Sequence, residues 1–335
     1  MMLSQQNDMK IFAGSSGAAF TRKMCDYLNI PVGKSEVFTF SDGNIFAKVG
    51  ENVRSKDVFL VQPIALNPNA EFTEILFWMD AFKRASVNSV TAVIPYFGYA
   101  KGDKKDEPRV SIRARVCAEC IELAGADRVM MMDLHTPQIQ GFFKKPVDHL
   151  HALRVLVEYV KTMGYQDFVV VSPDSGFTKN ARKFANCLSS PLAIADKMRA
   201  SHNEHAEILQ LIGDVNGKNV LIVDDFSISG GTLAELAHLL KQRGAQHIIG
   251  CISHVLMREK GVQTIEESEI EMLISTDSVE NPYLKASSKI RIVSVSPLFA
   301  EAVARISRKD SISELFDEVP SSVFRASFSS DVSNP

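Results

Sequence analysis

Cysteine is scarce and unpatterned: the 335 residues hold five, an odd number scattered along the chain. That usage argues against a secreted fold stapled by disulfides. Long apolar runs are also missing, since none approaches the roughly 18 residues of a membrane-spanning helix. Residues 1–10 are polar and lack the apolar centre of a signal peptide. Nor is there an excess of positive charge: 37 Lys and Arg against 40 Asp and Glu leave a formal net charge of -3. Nucleic-acid binding driven by bulk charge is therefore not expected. Charged residues at 23% and hydrophobic residues at 45% are ordinary for a globular protein and leave no room for a large disordered region. The expectation is a cytoplasmic protein with no membrane or nucleic-acid partner, long enough for two domains of about 150 residues.

Short apolar runs alternate with helical stretches throughout. Strands are expected at 10–13, 57–61, 89–94, 128–132, 168–171, 192–196, 219–223, 247–253 and 290–295. Most of these runs are continuous rather than alternating, the pattern of strands covered on both faces of a parallel sheet. Helices are expected at 70–85, 112–124, 152–163, 177–187, 232–244 and 297–306, and several close on a glycine (Gly125, Gly164, Gly244). This is a doubly wound α/β pattern. The halves echo each other: residues 128–132 lead into Asp133-Leu134-His135, and residues 219–223 lead into Asp224-Asp225. Two copies of one domain meeting near residues 149–156 account for the echo. After Pro320 the chain is rich in serine, which predicts a disordered end. Cys117 and Cys120 fall on one helix without a second ligand pair at zinc spacing, so they read as small core residues.

The segment 224–232 carries the most chemistry. An apolar strand runs into Asp224 and Asp225, then Phe226-Ser227-Ile228-Ser229-Gly230-Gly231-Thr232, then a helix. Open parallel sheets bind ligands at this strand-to-helix position. Gly230 and Gly231 allow backbone N–H groups close to a phosphate, Ser229 and Thr232 add hydroxyls, and the helix N-terminus favours an anion. The twin acids are suited to ribose hydroxyls or a bound cation.

This element resembles the phosphoribosyl-binding motif of the type I phosphoribosyltransferase fold. Three further stretches are similar to ribose-phosphate pyrophosphokinases specifically. They are residues 91–105 with Tyr96, Tyr99 and the basic run Lys101 to Lys105; Met132-Asp133-Leu134-His135 followed by residues 138–143; and Val171-Ser172-Pro173-Asp174-Ser175-Gly176. With smaller matches the resemblance covers residues 9–317 in order. It implies two tandem phosphoribosyltransferase-like domains, each a mainly parallel sheet flanked by helices, at 8–150 (the ATP side, with a flexible catalytic loop) and 151–317 (the ribose 5-phosphate loop), with a tail at 318–335. The implied reaction transfers the β,γ-diphosphoryl group of Mg2+-bound ATP to the C1 hydroxyl of ribose 5-phosphate. The implied assembly is a homo-oligomer, a hexamer built from dimers.

Site roles also come from the resemblance. Lys104, Lys105, Lys197, Arg199 and His135 are the implied catalytic residues, and His135 and Asp174 the implied Mg2+ ligands. Phe40, Asp42, Asn44, Lys101 and Asp103 are implied on the ATP side, with core packing an open alternative for Phe40. Asp224, Asp225, Ser229, Gly230, Gly231 and Thr232 are implied for ribose 5-phosphate. Arg54, Arg109, Gln140, Asp148, Ser311, Ser313 and Phe316 match a regulatory phosphate site. The departures are Ile228 in place of an acid, Lys101 for arginine, Gly102 for glutamine, Asn44 for glutamate, Phe177 for glycine and Asn180 for a basic residue, with Asn52 and His149 altering the regulatory positions. They raise a second expectation, a catalytically weak or inactive homologue that binds and regulates an active partner.

Overall fold

The computed structural model describes residues 9–199 and 207–328. The chain divides into two compact units. The first holds the described residues up to Ala152, Asp277–Glu280 and the described residues from Ser294 on; the second holds Leu153–Thr276, apart from the undescribed stretch, and Asn281–Val293.

In chain order the first unit contains β1 (Met9–Ala13), α1 (Ala18–Leu28), β2 (Ser35–Thr39), β3 (Ile45–Val49), β4 (Asp57–Val61), α2 (Pro68–Arg84), β5 (Ser89–Ile94), α3 (Arg113–Ala124), β6 (Arg128–Met132) and β7 (Val147–Leu150). Its sheet runs β1-β4-β5-β6-β7, and every pairing is parallel. The apolar runs are buried as their continuity predicts: Val90 to Ile94 and Val129 to Met132 are all inaccessible or nearly so. Helix α2 starts at a proline, whose missing N–H costs nothing at a first helical position. It drives Ile75, Trp78, Met79 and Phe82 into the core. The buried Glu74 accepts from the indole N–H of Trp78 at 3.0 Å and from the Ser15 backbone N–H at 2.9 Å.

The second unit contains α4 (Leu153–Thr162), β8 (Phe168–Ser172), α5 (Thr178–Leu188), β9 (Leu192–Arg199), β10 (Glu207–Ile212), β11 (Asn219–Ser227), α6 (Gly231–Gln242), β12 (Ile248–Val255), α7 (Glu259–Glu267), β13 (Met272–Thr276) and β14 (Ile290–Val293). Its order is β10-β9-β8-β11-β12-β13-β14, parallel except for the β9–β10 edge. Both sheets are mainly parallel and flanked by helices, as the sequence pattern implies.

Four departures from the sequence reading have physical causes. The segment expected as a second domain, 151–317, does not stay in one unit. Its last helices α8 (Ser296–Arg308) and α9 (Glu314–Asp317) belong with the first unit. There Phe299 packs edge-on against Phe20 of α1 at 5.3 Å, and Asp277 pairs with Lys23 at 2.8 Å. The tail expected to be disordered from 318 instead forms α10 (Ser321–Phe328), because Val323 and Ser327, four residues apart, share a buried face. Residues 329–335 lie outside the described residues. The antiparallel hairpin β2–β3 went unread because none of its residues is fully buried and its apolar runs are only two or three residues long. Finally, Asp224 and Asp225 do not follow the strand: β11 continues through them to Ser227, with Asp224 opposite Ile252 and Phe226 opposite His254 of β12.

Candidate active site

The loop at the end of β11 is built by two carboxylates, three hydroxyls and a glycine turn. Asp225 is 8% exposed, and its Oδ1 accepts from the Phe226 N–H at 2.8 Å; Oδ1 of Asp224 accepts from the Asp225 N–H at 2.9 Å. Burial, then the charges of Asp225 and of Asp174, pushes the Asp224 carboxyl up to about 8. Asp224 therefore holds a proton near neutrality, because a second buried charge beside Asp225 is costly without donors or a cation. The N–H groups of Gly230 and Gly231 donate to the hydroxyls of Ser227 and Ser229 at 3.2 and 3.3 Å. Those bonds are long and readily exchanged for phosphate oxygens. Gly230 caps α6 with φ +75, and a Cβ there would stand 3.0 Å from the Gly261 carbonyl oxygen. Only glycine suits that position. Ser229 and Thr232 are exposed at the same helix start. Ile228, the apolar departure, is 51% exposed on this loop.

Asp174 follows β8. Its carboxylate is exposed and accepts from the Phe177 N–H at 2.8 Å, which shapes the turn into α5. Lys197 and Arg199 lie on β9, opposite Leu209 and Glu207 of β10; their side chains lie outside the described residues. Crowded carboxylates form a hard oxygen donor set, the chemistry that suits Mg2+.

In the first unit, His135 is exposed in the turn after β6. Next to it the Thr136 hydroxyl donates to Asp103 at 2.8 Å, tying this turn to the base of the basic segment. Lys101, Lys104 and Lys105 are exposed there. At the tip of the β2–β3 hairpin, Phe40 is 48% exposed and packs on Phe38 and Phe46 at 4.9 and 6.0 Å from the flanks of one small aromatic group, Phe38 to Phe40 and Phe40 to Phe46 respectively. It is not a core residue. Asp42 accepts from the backbone and side-chain amides of Asn44 at 3.0 and 2.8 Å, and these bonds hold its pKa down. A glutamate at 44 would set two carboxylates against each other here, which gives Asn44 a local reason.

The positions matched to a regulatory phosphate site are only partly gathered. Gln140 lies 3.3 Å from Nδ1 of His149, His149 packs on His151 at 4.5 Å, and His151 meets the ring of Phe316 at 5.8 Å. His151 has no counterpart in the sequence reading; a second histidine two residues after His149 on a strand end was its only signal. Asp148 is committed to Arg128, with both oxygens within 3.0 Å of one nitrogen. The Ser311 carbonyl accepts from Arg305 at 2.9 Å, and Ser313 is exposed. Arg54 and Arg109 are exposed, and no hydrogen bond or ion pair ties their side chains to this cluster among the described residues.

Asp133, His149 and His151 bring donor atoms within 4.8 Å of one another. Asp133 itself holds a strained backbone, φ +40. Nε2 of His149, however, accepts from the Leu134 N–H at 2.9 Å, and Asp133 lies 3.0 Å from Nδ1 of His151. Those lone pairs are already used in hydrogen bonds, so the group reads as a brace for the β6–β7 edge. Cys117 is buried, with its thiol pushed up to about 12 by burial, which makes it an inert core residue as expected.

Comparison with known proteins decides what these parts belong to. The model of the N-terminal domain of ribose phosphate pyrophosphokinase matches residues 9–125, and that of the phosphoribosyl synthetase-associated domain matches residues 189–317. A ribose-phosphate pyrophosphokinase of Clostridium tetani is 40% identical over 320 residues, which span 95% of this chain and 100% of that protein. One from Caldanaerobacter subterraneus is 44% identical over 317 residues, 94% of this chain and 100% of that protein. The chain belongs to the ribose-phosphate pyrophosphokinase family. The fold agrees: the crystal structure of phosphoribosylpyrophosphate synthetase from Mycobacterium smegmatis superposes with a TM-score of 0.85 at 33% identity, over 90% of this chain and 99% of that one. No helix among the described residues is long and apolar enough to cross a membrane.

Proposed function

We propose that the chain converts ribose 5-phosphate and Mg2+-bound ATP to phosphoribosyl pyrophosphate and AMP. The observation that carries this reading is the loop of residues 224–232, where an adjacent acid pair with a raised Asp224 pKa and weakly occupied glycine N–H groups lie at a helix start. The N–H groups of Gly230 and Gly231, with Ser229 and Thr232, receive the 5-phosphate. Asp224 and Asp225 accept the ribose hydroxyls, and binding releases the proton held on Asp224. The C1 oxygen then bonds to the β-phosphorus as the bond from that phosphorus to the α,β-bridging oxygen breaks. AMP leaves with the bridging oxygen, and the proton of the C1 hydroxyl passes to solvent.

Charge building on the phosphate oxygens is met by Lys104, Lys105, Lys197 and Arg199, the groups expected to act mostly in the transition state. Lys101, Asp103, Phe40, Asp42 and Asn44 serve ATP binding. His135 and Asp174 are each proposed as Mg2+ ligands, Asp174 the better matched by its hard oxygens. Bound Mg2+ neutralises the phosphate charge. A cytoplasmic homo-oligomer, a hexamer, and a regulatory phosphate site using Arg54, Arg109, Gln140, Asp148, Ser311, Ser313 and Phe316 complete the proposal.

The test is direct. Purified chain with Mg2+, ATP and ribose 5-phosphate should form AMP and phosphoribosyl pyrophosphate in equal amounts. A folded sample that binds nucleotide and forms no AMP above background refutes the reading. That result would favour the inactive-homologue alternative, for which the apolar Ile228 on the ribose loop is the specific observation.

A further inference from the structure

We propose that Arg113 is a triphosphate-binding residue of the ATP site, a role that rests on the reading of the basic segment given above. Gly102 closes the short turn Ala100–Gly102 that opens this segment, and it is buried. A Cβ built on it would lie 2.7 Å from Nε and 2.9 Å from Cβ of Arg113. The arginine side chain therefore already fills the space that any side chain at position 102 would enter. The departure at Gly102 and the placement of Arg113 are two sides of one arrangement: the glycine makes room, and a guanidinium takes the place.

Three features separate Arg113 from a merely solvated cation. It is exposed, yet no hydrogen bond or ion pair holds its side chain among the described residues. By contrast Arg115, two residues on, pairs with Glu119 at 2.9 Å, and Arg84 with Asp80 at 2.7 Å. It also occupies the first turn of α3, which holds no acid there, so its charge opposes the helix dipole instead of complementing it. Helix stability does not account for it. Lastly, it lies against the turn from which Lys101, Lys104 and Lys105 emerge, beside an Asp103 whose carboxylate is engaged by Thr136. A planar fork of donors over bare glycine backbone suits bidentate contact with phosphate oxygens better than lysine does. The ligand it fits is the polyphosphate of the nucleotide, the anion this lysine-rich segment is proposed to cover.

The test measures KM for Mg2+-ATP and for ribose 5-phosphate, together with the Kd of a non-hydrolysable ATP analogue. Arg113→Ala should raise the ATP KM and the analogue Kd by about ten- to hundredfold, the loss of one charge-assisted contact. The KM for ribose 5-phosphate should stay within about twofold. Arg113→Lys should fall between. Arg115→Ala, the same charge change on the same helix, should match the native protein. In the double variant Arg113→Ala with Gly102→Gln the space is vacated for an amide, and part of the ATP affinity should return. An Arg113→Ala protein of native melting temperature with unchanged ATP KM and analogue Kd overturns the proposal; so does an equal loss from Arg115→Ala. If Arg113→Ala does not fold, Arg113→Gln carries the same comparison. If the native chain forms no AMP, the proposed reaction fails and the analogue Kd decides Arg113 by itself.

Discussion

Replacing Asp224 by asparagine should stabilise the protein increasingly as pH rises. In the folded state the carboxyl titrates at about 8 against an ordinary value of 3.8, because it is buried beside Asp225 and feels Asp174. Between these values the native state holds a proton that the unfolded chain has lost. The sign follows: this group costs no stability below about pH 4, and its cost grows as pH rises through the window and levels off above the folded value. The slope is about 1.4 kcal/mol per pH unit, so from pH 5.5 to 7.5 the native protein loses roughly 2.5 kcal/mol that the neutral asparagine variant keeps. At about 2–4 °C per kcal/mol, the melting temperature of the variant should gain roughly 5–10 °C on the native protein across that range. The assay is thermal unfolding in the absence of ligand at half-unit pH steps. A melting difference that stays flat from pH 5.5 to 7.5 would show that Asp224 is ionised throughout and would refute its raised pKa.

Two further outcomes follow from exposure and backbone geometry. Lys104→Ala and Lys105→Ala should each lower kcat, by about 10²- to 10³-fold if the lysine acts on charge in the transition state. Their melting temperatures should stay at the native value because both side chains are exposed; an unchanged kcat rejects the catalytic role. Gly230→Ala adds a Cβ 3.0 Å from the Gly261 carbonyl oxygen at φ +75. It should cost roughly 1–2 kcal/mol and weaken ribose 5-phosphate binding, and calorimetry showing native affinity would remove this turn from the phosphate site.

Much of this protein is legible in local pattern. Continuous apolar runs such as 89–94 and 128–132 announce strands covered on both faces, and they are buried accordingly. The register of twin acids, hydroxyls and paired glycine at 224–232 announces a phosphate and sugar loop, since each residue type there acts through its own backbone freedom or donor groups. Even so, local pattern stopped the strand at Val223, whereas pairing with β12 carries it to Ser227. The hairpin β2–β3 escaped notice because short, partly exposed strands leave a weak hydrophobic signature, and Phe40, open between core and surface from sequence, is resolved only by its place on that hairpin.

Residue identity determined which groups were available: the acids, the lysines, and the glycine that alone tolerates φ +75. Tertiary structure decided their states. Asp224 and Asp225 are ordinary carboxylates in sequence, and it is burial beside Asp225, with Asp174 near by, that raises the pKa of Asp224. Gly102 is only a missing side chain in sequence; the fold places Arg113 in its space. Likewise α8 follows the second sheet in the chain yet packs with α1, because Phe299 finds its partner in Phe20, far from it in sequence. Desolvation, charge proximity and packing depend on distances between residues remote in the chain, and no spacing along the sequence encodes them.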